Sequence, residues 1–377
     1  MIKKILLCVA AFIAAACLVS CADIFNGSGQ DGVTVTIPAF SRASNASRAA
    51  STDSTHSGWN VYAYLISKDA DSTVLGAVSS FQNKYHLSAM KEVAANPGIL
   101  QAVSYKGVDF SHDVPVKFQR VKPGTEYFVL LAITYELPTN LDAKEEVVVF
   151  SGMSPQNALG GDSTGAAFSP RIAACHTAQS GVNEVALSLK KNNDTSVYFV
   201  SKDGSAEPSQ STPSKPCAFP LLSSGTYVII LTEDVTCSSL DIANFSATIM
   251  SLPGKACMLT LKDDKDSFKE LDICQSGTLA LVDVTLVAKG GIVRAYGALA
   301  VGGAVRIVLH DEKAYIDLEE NSNVFLVSPP ELAAGKKICT IKMLKPKQEC
   351  TLSNYFKGFD DPAAYFNIEY SSGPTSD

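Results

Sequence analysis

Two histidine-centred pairs, Cys175-His176 and His112-Asp113, are the residues whose types most suggest catalysis. Cysteine beside histidine forms the nucleophile and base of thiol proteases, and histidine beside aspartate belongs to the serine-protease triad. Both functions require the paired side chains to meet, whereas consecutive side chains of an extended strand point to opposite faces. We therefore predict that neither pair is catalytic.

Acidic residues are the second candidates, because carboxylates can bind cations or cleave glycosidic bonds. The densest acidic stretch is Asp263-Asp264-Lys265-Asp266, but its lysine and its spacing do not fit an EF-hand, so it is interpreted as a solvated loop. Farther on, Asp272, Asp283 and Arg294 have no charged counterpart at the repeat spacing of that part of the chain, about 20 residues. The sequence thus predicts no catalytic residue, no metal ligand and no cofactor.

The start of the chain is organised as a secretory signal. Lys3 and Lys4 precede an apolar run from Ile5 to Val19. At about fifteen residues, this run is shorter than the ~20 residues that a membrane-spanning helix needs. A cleaved export signal is therefore predicted for residues 1–20, followed by a polar tether at residues 21–32.

The signal ends in Leu18-Val19-Ser20-Cys21, which resembles the lipobox of bacterial lipoproteins. The resemblance implies a diacylglyceryl thioether on Cys21, cleavage before Cys21 and acylation of the new amino terminus. A cleavable signal without lipidation is the alternative. Because Ala22 rather than aspartate follows, similarity to enteric lipoproteins favours the outer membrane of the cell envelope and allows surface exposure.

Charge and hydropathy limit the partners of the mature chain. The formal net charge of the whole sequence is −7, and loss of Lys3 and Lys4 with the signal makes it about −9. An acidic chain without a basic cluster is a poor nucleic-acid binder, so no nucleic-acid partner is predicted. No later apolar run approaches bilayer length. Membrane contact is therefore predicted only through lipid on Cys21.

Short strands between turn residues dominate residues 33–192. Alternating apolar residues predict strands at Val33–Ile37, Trp59–Leu65, Val114–Val121, Glu126–Tyr135, Val147–Phe150 and Val185–Leu189. Helical patterns are few, although Met90–Ala95 could form one turn of helix. This combination indicates an antiparallel β-sandwich.

One segment of this region has a more specific pattern. The turn Lys122-Pro123-Gly124-Thr125 is followed closely by Tyr127. The pattern resembles the E–F corner of fibronectin type III and related immunoglobulin-like domains, where a tyrosine hydroxyl bonds to upstream backbone. The resemblance implies that role for Tyr127 and an immunoglobulin-like sandwich, and an ordinary Pro-Gly hairpin is the alternative.

Residues 197–330 carry two signs of a second β-rich region. The segments Val197–Gly204, Ser211–Pro216 and Gly225–Leu231 resemble the N-terminal cap and first turn of right-handed parallel β-helix proteins. Apolar residues also recur with a period near 20 residues, the signature of a solenoid. Leu279, Leu281, Val284 and Leu286 recur as Leu299, Val301, Val305 and Ile307, then as Ile316, Leu318, Val324 and Leu326, and upstream Tyr227–Leu231 matches Ala247–Ser251. The predicted fold class is therefore all-β, an N-terminal antiparallel β-sandwich followed by a short right-handed parallel β-helix.

The boundaries of this second region follow from polar and proline residues. Lys190–Asp194 is interpreted as a linker between the two regions. Pro329-Pro330 cannot donate to a ladder of hydrogen bonds and is predicted to end the stack. Within residues 331–377, Ile338–Leu344 and Gln348–Leu352 are predicted to form a capping hairpin, and the last residues a free tail.

Seven cysteines remain when the three within the first 21 residues are set aside, so at least one is unpaired within the chain. Cys237, Cys257 and Cys274 match the repeat spacing. They are predicted to form an inert buried column or a disulfide between neighbouring turns. Cys339 and Cys350 lie on the two arms of the predicted hairpin and are candidate disulfide partners.

The predicted function follows from the anchor, the two β-rich regions and the lack of a recognisable catalytic set. We expect a lipoprotein that is not an enzyme and that acts as a surface binding, adhesion or structural module, with host protein or glycan as candidate ligand. The alternative is a carbohydrate-active β-helix enzyme, a polysaccharide lyase or hydrolase, whose site is degenerate.

Overall fold

The protein was analysed as a computed structural model that describes part of the chain. The described residues are 31–40, 58–137, 145–162, 169–194, 196–201, 206–207, 224–238, 240–263, 265–274, 276–294, 296–302, 305–309, 316–318, 321–326, 337, 340–343, 345–357 and 359–370. The predicted signal peptide, Cys21 and Cys339 lie outside these ranges. Within them, no helix has the length and apolarity required to cross a bilayer.

The first part of the chain, residues 32–191, is here called the sandwich region. Its helices are α1 (Ser72–Lys84) and α2 (Leu87–Glu92). Its strands are β1 (Gly32–Ile37), β2 (Trp59–Ser67), β3 (Ile99–Lys106), β4 (Val114–Gln119), β5 (Glu126–Leu137), β6 (Glu145–Ser154), β7 (Leu159–Asp162), β8 (Ser169–Ile172), β9 (His176–Thr177), β10 (Val182–Val185) and β11 (Leu189–Lys191).

Two sheets of the sandwich region face each other across a core. The smaller sheet has the order β10-β1-β4, with β1 parallel to β10 and antiparallel to β4. The larger sheet is antiparallel, with the order β11-β6-β5-β2-β3, and β9 pairs with β5. Val35 and Phe118 of the smaller sheet belong to the same buried cluster as Val61 and Leu131 of the larger one. The predicted sandwich arrangement is thus confirmed at the level of sheets.

The larger sheet is buried on both faces, because helices cover its outer side. On β2, Trp59 and Val61 face the smaller sheet, whereas Tyr64 packs with Val74 and Phe81 of α1. The sequence analysis missed α1, whose Gly76 and β-branched residues weaken its helical propensity. Its start was nevertheless visible, since the Asp71 carboxylate accepts hydrogen bonds from the backbone N–H of Thr73 and Val74, both at 3.0 Å.

Local structure in the sandwich region agrees with most sequence-based predictions. The turn before β5 is present, with Gly124 at φ +85° and the Thr125 N–H bonded to the Lys122 carbonyl at 3.1 Å. The single strand predicted for Val185–Leu189 is wrong. Val185 ends β10 in the smaller sheet and Leu189 begins β11 in the larger one, so the chain crosses between sheets where one strand was predicted.

Residues 197–370 are here called the parallel region. Its strands are β12 (Val197–Val200), β13 (Ala206–Glu207), β14 (Thr226–Leu231), β15 (Val235–Cys237), β16 (Leu240–Ala243), β17 (Ser246–Ser251), β18 (Cys257–Leu261), β19 (Leu271–Cys274), β20 (Thr278–Val282), β21 (Val284–Ala288), β22 (Gly291–Val293), β23 (Ala298–Gly302), β24 (Arg306–Leu309), β25 (Ile316–Leu318), β26 (Asn323–Leu326), β27 (Thr340–Met343), β28 (Phe356–Lys357) and β29 (Asn367–Tyr370). A 3-10 turn at Lys347–Glu349 and the one-turn helices α3 (Leu352–Tyr355) and α4 (Pro362–Tyr365) lie near its end.

Three sheets of parallel strands share these residues. The first has the order β13-β12-β14-β17-β20-β23-β26-β28, in which only β13 is antiparallel, the second β15-β18-β21-β24, and the third β16-β19-β22-β25-β27-β29. From β14 to β25 the chain visits the first, second and third sheets in turn, four times over. One buried cluster contains side chains from all three, such as Leu279, Leu286 and Ile273.

The two regions share a hydrophobic core. The outer side of the first parallel sheet presents Phe199, Ile230 and Val282, which belong to the same buried cluster as the facing sheets of the sandwich region. The rings of Phe150 and Phe199 meet across this contact with centroids 5.6 Å apart. The sandwich region therefore covers the outer face of the first parallel sheet.

Three predictions about the boundaries and register of the parallel region are wrong. Lys190–Asp194 is not a free linker, because Asn192 is buried and its side-chain amide donates to the Val148 carbonyl at 2.6 Å. The predicted capping hairpin is absent, since β27 pairs in parallel with β25 and β29. Parallel pairing thus continues beyond Pro329-Pro330, because later segments of the chain return to the first and third sheets.

The repeat was predicted correctly for two turns and wrongly for the third. Leu279 pairs with Leu299, Leu286 with Ile307, and Tyr227 with Ala247, as predicted. The true partner of Leu299 in the following turn is Val324. Ile316, assigned to that position from the sequence, belongs to the third sheet and pairs with Gly291. The error arises because the turn from Leu299 to Val324 is longer than the preceding turn from Leu279 to Leu299.

Candidate functional site

The outer side of the third parallel sheet presents a row of carboxylates. Asp241, Asp272 and Asp317 each stand between two apolar residues that point into the core, in the segments Leu240-Asp241-Ile242, Leu271-Asp272-Ile273 and Ile316-Asp317-Leu318. Side chains alternate along a strand, so each aspartate points outward. Asp241 pairs in register with Asp272, and Ile292 stands between Asp272 and Asp317. These four residues, with Arg294, are called the third-sheet face.

Arg294 is the cation that lies beside Asp272. Its Nε lies 3.5 Å from Oδ1 of Asp272, and about half of its side chain is exposed. That oxygen is shielded from solvent and accepts no hydrogen bond from any described residue. Neighbouring strands lie about 4.8 Å apart, so the backbones at Asp272 and Asp317 are separated by roughly 10 Å. The face therefore offers polar groups at a spacing that a multi-hydroxyl ligand can bridge.

The prediction that Asp272 lacks a charged counterpart in register is wrong. Its partner Asp241 lies 31 positions earlier in the sequence, not about 20. The extra length includes the loop from Lys262 to Phe268, whose ends form an isolated antiparallel bridge. The shared pattern of apolar residue, aspartate and apolar residue was a signal that could have found the row without a fixed repeat length.

A second column, called the corner column, borders the third-sheet face where the chain turns towards the first sheet. Its members are Asn244, Ser276, Tyr296 and Asn321, one from each successive turn. Tyr296 is 68% exposed, the most exposed of the large apolar side chains within the described residues. Its φ of +63° is left-handed, as are those of Asn244 (+60°) and Asn321 (+66°). Asparagine tolerates this conformation, whereas tyrosine rarely adopts it.

The turn that carries Tyr296 is fixed by its neighbours. The Gly297 N–H bonds to the Arg294 carbonyl at 2.7 Å, and the Arg294 N–H bonds to the Ile273 carbonyl of the previous turn at 2.8 Å. A Cβ at Gly297 would lie 2.9 Å from that same Ile273 carbonyl oxygen, and Gly277 occupies the equivalent position one turn earlier. The backbone of adjacent turns is therefore too close for a side chain there, and Tyr296 is held outward.

The acidic loop singled out in the sequence contains ion pairs and turn hydrogen bonds. Oδ1 of Asp263 accepts from the backbone N–H of Lys265 (3.0 Å) and Ser267 (2.9 Å), and Oδ2 lies 2.8 Å from Nζ of Lys269. The hydrogen bond from Lys269 and those from the backbone lower the pKa of Asp263. Asp264 lies outside the described residues. Across the described ranges, no three His, Cys, Asp or Glu residues are grouped to bind a metal ion.

The two histidine pairs are not arranged for catalysis. Cys175 packs against the helix-covered side of the larger sheet, whereas the His176 ring lies 5.7 Å from that of Tyr127 in the facing core, so the two point apart as predicted. Nδ1 of His112 lies 3.9 Å from Oδ2 of Asp109, whereas Oδ1 of Asp113 accepts from the backbone N–H of Ala39 at 2.8 Å.

His176 has a serine partner that the sequence analysis did not identify. Oγ of Ser154 lies 2.9 Å from Nε2 of His176 and donates to the Ala186 carbonyl at 2.8 Å. A hydroxyl has one proton, so Nε2 must be the donor to Ser154. The imidazole cannot then accept the serine proton, and burial lowers the pKa of His176. The pair stabilises the sandwich region rather than activating a nucleophile.

Glu146 is the centre of the most extensive buried polar network in the described chain. Its Oε1 accepts from Asn60 (3.0 Å) and Thr134 (2.5 Å), and its Oε2 from Tyr62 (3.0 Å) and Lys91 (2.7 Å). Burial raises the pKa of Glu146, but the hydrogen bonds from Lys91, Thr134 and Asn60 outweigh it and lower the pKa to about 2. The carboxylate is ionised and saturated with donors.

Two lysines complete the Glu146 network. Nζ of Lys91 lies 4.4 Å from the centre of the Tyr62 ring, and Nζ of Lys106 lies 5.2 Å from it. Lys106 also lies 3.5 Å from Oε1 of Glu146. Perturbed pKa values often mark functional sites, but ion-pair networks perturb them as well. With every oxygen of Glu146 bonded, this network is best explained as structural.

The cysteine predictions have mixed outcomes. Cys237 lies opposite Leu261, Cys257 opposite Val284 and Cys274 opposite Ala243, so the predicted column of cysteines is wrong. Cys257 and Cys274 carry free thiols, and no disulfide joins these turns. Cys350 is also a free thiol, whose sulfur lies 3.5 Å from the Lys345 carbonyl. Its predicted partner Cys339 is outside the described residues, so pairing in the oxidised protein remains a prediction.

No protein-family model, no curated protein and no solved structure matches this chain. The functional proposal therefore rests on the third-sheet face and the corner column.

Proposed function

We propose that this protein is a lipid-anchored component of the bacterial cell envelope that acts as a non-catalytic surface binding or adhesion module. In this proposal Cys21 carries the lipid and residues 21–32 form the tether. The sandwich region is an immunoglobulin-like domain, and the parallel region is a short right-handed β-helix. The outer membrane is the proposed location, with the folded part exposed to ligand.

The β-helix assignment is supported by the order in which the chain visits its sheets. Successive strands enter the three parallel sheets in a repeating order around one core, which is the pattern that a coiled chain produces. A second sandwich would instead contain hairpins of neighbouring antiparallel strands. Close backbone contact at Gly277 and Gly297, one turn apart, further supports regular coiling. The proposed right-handedness rests on the resemblance of the segment that begins at Val197 to the N-terminal cap of right-handed parallel β-helix proteins.

The observation that carries the binding role is the polar third-sheet face on a rigid support. The sandwich region buries the outer side of the first sheet, whereas Asp241 is exposed and Arg294 is half exposed on the third sheet. A face built on regular strands holds its side chains more rigidly than a loop does, which favours recognition. Fold alone does not define the ligand.

The anchor and the exposure are tested together in cells. Wild-type protein should incorporate labelled palmitate, sediment with outer membranes and be cleaved by protease added to intact cells. Cys21→Ser should lose the label and the membrane association. Label retained by Cys21→Ser would contradict lipidation at this residue, and complete protection from protease in intact cells would contradict surface exposure.

A glycoside hydrolase is the second candidate, and the row of aspartates favours it. Inverting enzymes place two carboxyl groups about 6.5–9.5 Å apart, a range near the two-strand separation of Asp272 and Asp317. Purified protein incubated with pectin, alginate, glycosaminoglycans and neutral glycans should release no reducing ends and no unsaturated products. Activity abolished by Asp272→Asn would replace the binding proposal with this one.

A further inference from the structure

We infer that the third-sheet face and the corner column form a binding surface for a non-acidic oligosaccharide, with Tyr296 as its aromatic platform. The inference deepens the proposed function and rests on it, because it names the ligand class of the same surface. It draws on three features: an exposed ring in an unfavourable backbone conformation, a mixed set of polar groups beside it, and the sign of the local charge.

Tyr296 lies where an aromatic side chain adds little to the stability of the fold. Its ring is largely in solvent, and its left-handed backbone is a position that Asn244 and Asn321 fill in other turns. A non-glycine residue held in this region is strained, and such strain concentrates at functional sites. An exposed ring gains stabilisation when it contacts the apolar C–H face of a sugar ring.

The neighbouring side chains complement the hydroxyl groups of such a sugar. Nε of Arg294 lies 3.5 Å from Asp272, and the half-exposed guanidinium has further N–H donors that can face a ligand. Asp241 and Asp272 supply acceptors on adjacent strands, and the partly exposed Ile292 supplies an apolar surface between acidic rows. On the corner column, the hydroxyl of Ser276 lies 3.5 Å from the Asn244 amide oxygen. Donors, acceptors and apolar surface therefore alternate over a short distance.

Local charge selects among glycans. Asp241, Asp272 and Asp317 place three carboxylates on this face, whereas Arg294 lies beside Asp272 and Lys342 stands opposite Asp317 in register, so carboxylates outnumber cations among these residues. The chain as a whole has a formal charge of −7. Like charges repel, so polyuronates and sulfated glycans are disfavoured, and neutral or amine-bearing sugars are favoured. This selection is opposite to the acidic substrates of a polysaccharide lyase.

The inference is tested with full-length protein in detergent micelles by isothermal titration calorimetry. The probes are a cellohexaose for neutral sugars, a glucosamine hexamer for amine-bearing sugars and an alginate hexamer for polyuronates. Wild-type protein should bind at least one of the first two probes and should bind alginate at least tenfold more weakly. Binding of alginate alone, or of no probe, would overturn the inference.

Tyr296→Asn is the decisive variant, because it installs the residue found in other turns of the corner column. It should weaken sugar binding about tenfold through loss of ring contact. It should also leave the melting temperature unchanged or raise it by about 1–2 °C, because asparagine tolerates the left-handed backbone. Val182→Asn replaces an equally exposed residue (64%) on β10 of the sandwich region and should not change binding.

The outcomes separate this inference from the function on which it rests. Unchanged sugar binding by Tyr296→Asn would overturn the assignment of the surface. A melting temperature lowered by several degrees would show that Tyr296 stabilises the fold instead of contacting ligand. Loss of membrane anchoring or surface exposure in the cell experiments would instead contradict the proposed function, whatever the calorimetry shows.

Discussion

The sandwich region and the parallel region treat their acidic side chains in opposite ways. Glu146 of the larger sheet is mostly buried, and both of its oxygens are fully used by neighbouring donors. Asp272 of the third-sheet face has one oxygen that accepts no hydrogen bond from the described residues and one basic neighbour at 3.5 Å. A saturated network stabilises a fold, whereas exposed acceptors on a rigid face, such as Asp241, remain available to a ligand. The difference favours the parallel region as the place of the proposed recognition.

The contact that joins the two regions should give the largest effect. Phe199→Ala removes a buried ring from the shared core and should lower the free energy of unfolding by about 4 kcal/mol. Because one core serves both regions, wild-type protein should unfold in a single calorimetric transition. Two calorimetric transitions, of which Phe199→Ala shifts only the later one, would show that the two regions unfold independently.

A matched pair of glycines compares the tight turns of the parallel region with the helical layer of the sandwich region. A side chain on Gly277 would collide with the Ile242 carbonyl of the previous turn, so Gly277→Ala should cost about 3 kcal/mol. Gly76 lies on α1 with no atom near its missing Cβ, so Gly76→Ala should stabilise by about 1 kcal/mol. Urea denaturation measures both, and equal effects would contradict the close stacking of turns.

The Glu146 network should show its structural role through pH. The folded pKa is about 2, below the ordinary value of 4.5, so ionised Glu146 stabilises the protein at neutral pH. That contribution is lost as pH falls from about 4.5 towards 2. Glu146→Gln should cost about 2 kcal/mol at pH 7 and should flatten the acid limb of the stability profile.

The control for Glu146 is Glu126→Gln. Glu126 forms an exposed ion pair with Lys68 at 2.6 Å, and solvent screening leaves such pairs with little effect on stability. If both substitutions had the same effect, the network around Glu146 would be no more than a surface ion pair, and the contrast between the two regions would disappear.

The smallest predicted effect concerns repulsion within the third-sheet face. Asp241 and Asp272 are neighbours in register, so Asp241→Asn should stabilise the protein by about 0.5 kcal/mol. The gain should shrink at high salt as charges are screened. Glu184→Gln, on β10 opposite Thr34, should change nothing measurable. A loss of stability in Asp241→Asn would show that the two carboxylates share a stabilising partner.

Local patterns predicted the strands well, because alternation is a property of neighbouring residues. The strand predicted for Trp59–Leu65 lies within β2, where Trp59 and Val61 belong to one buried cluster and Tyr62 and Tyr64 to the other, as alternation requires. Register was less predictable, since the Lys262–Phe268 loop lengthens one turn and a fixed period of about 20 residues then misplaces Asp241. Thr340–Met343 alternates as a hairpin strand would, and only its partners β25 and β29 show that it is parallel.

The candidate site was less predictable than the fold. Tyr296 follows a short strand and looks like any exposed turn residue in the sequence. Its significance comes from its left-handed backbone and from its place beside Arg294 and Asp272, which depends on the register of separate turns. The Ser154–His176 contact likewise joins residues 22 positions apart through the pairing of different strands. Neither arrangement leaves a local sequence signal.

Hydrogen–deuterium exchange of full-length protein, with and without the sugar probe that binds most tightly, tests the central claim most directly. The account predicts that ligand slows exchange in peptides covering residues 271–277 and 291–297, around Asp272 and Tyr296. Peptides covering the Glu146 network, at residues 58–64 and 145–150, should not change. Protection confined to the sandwich region, or absent from both segments of the third-sheet face, would contradict it.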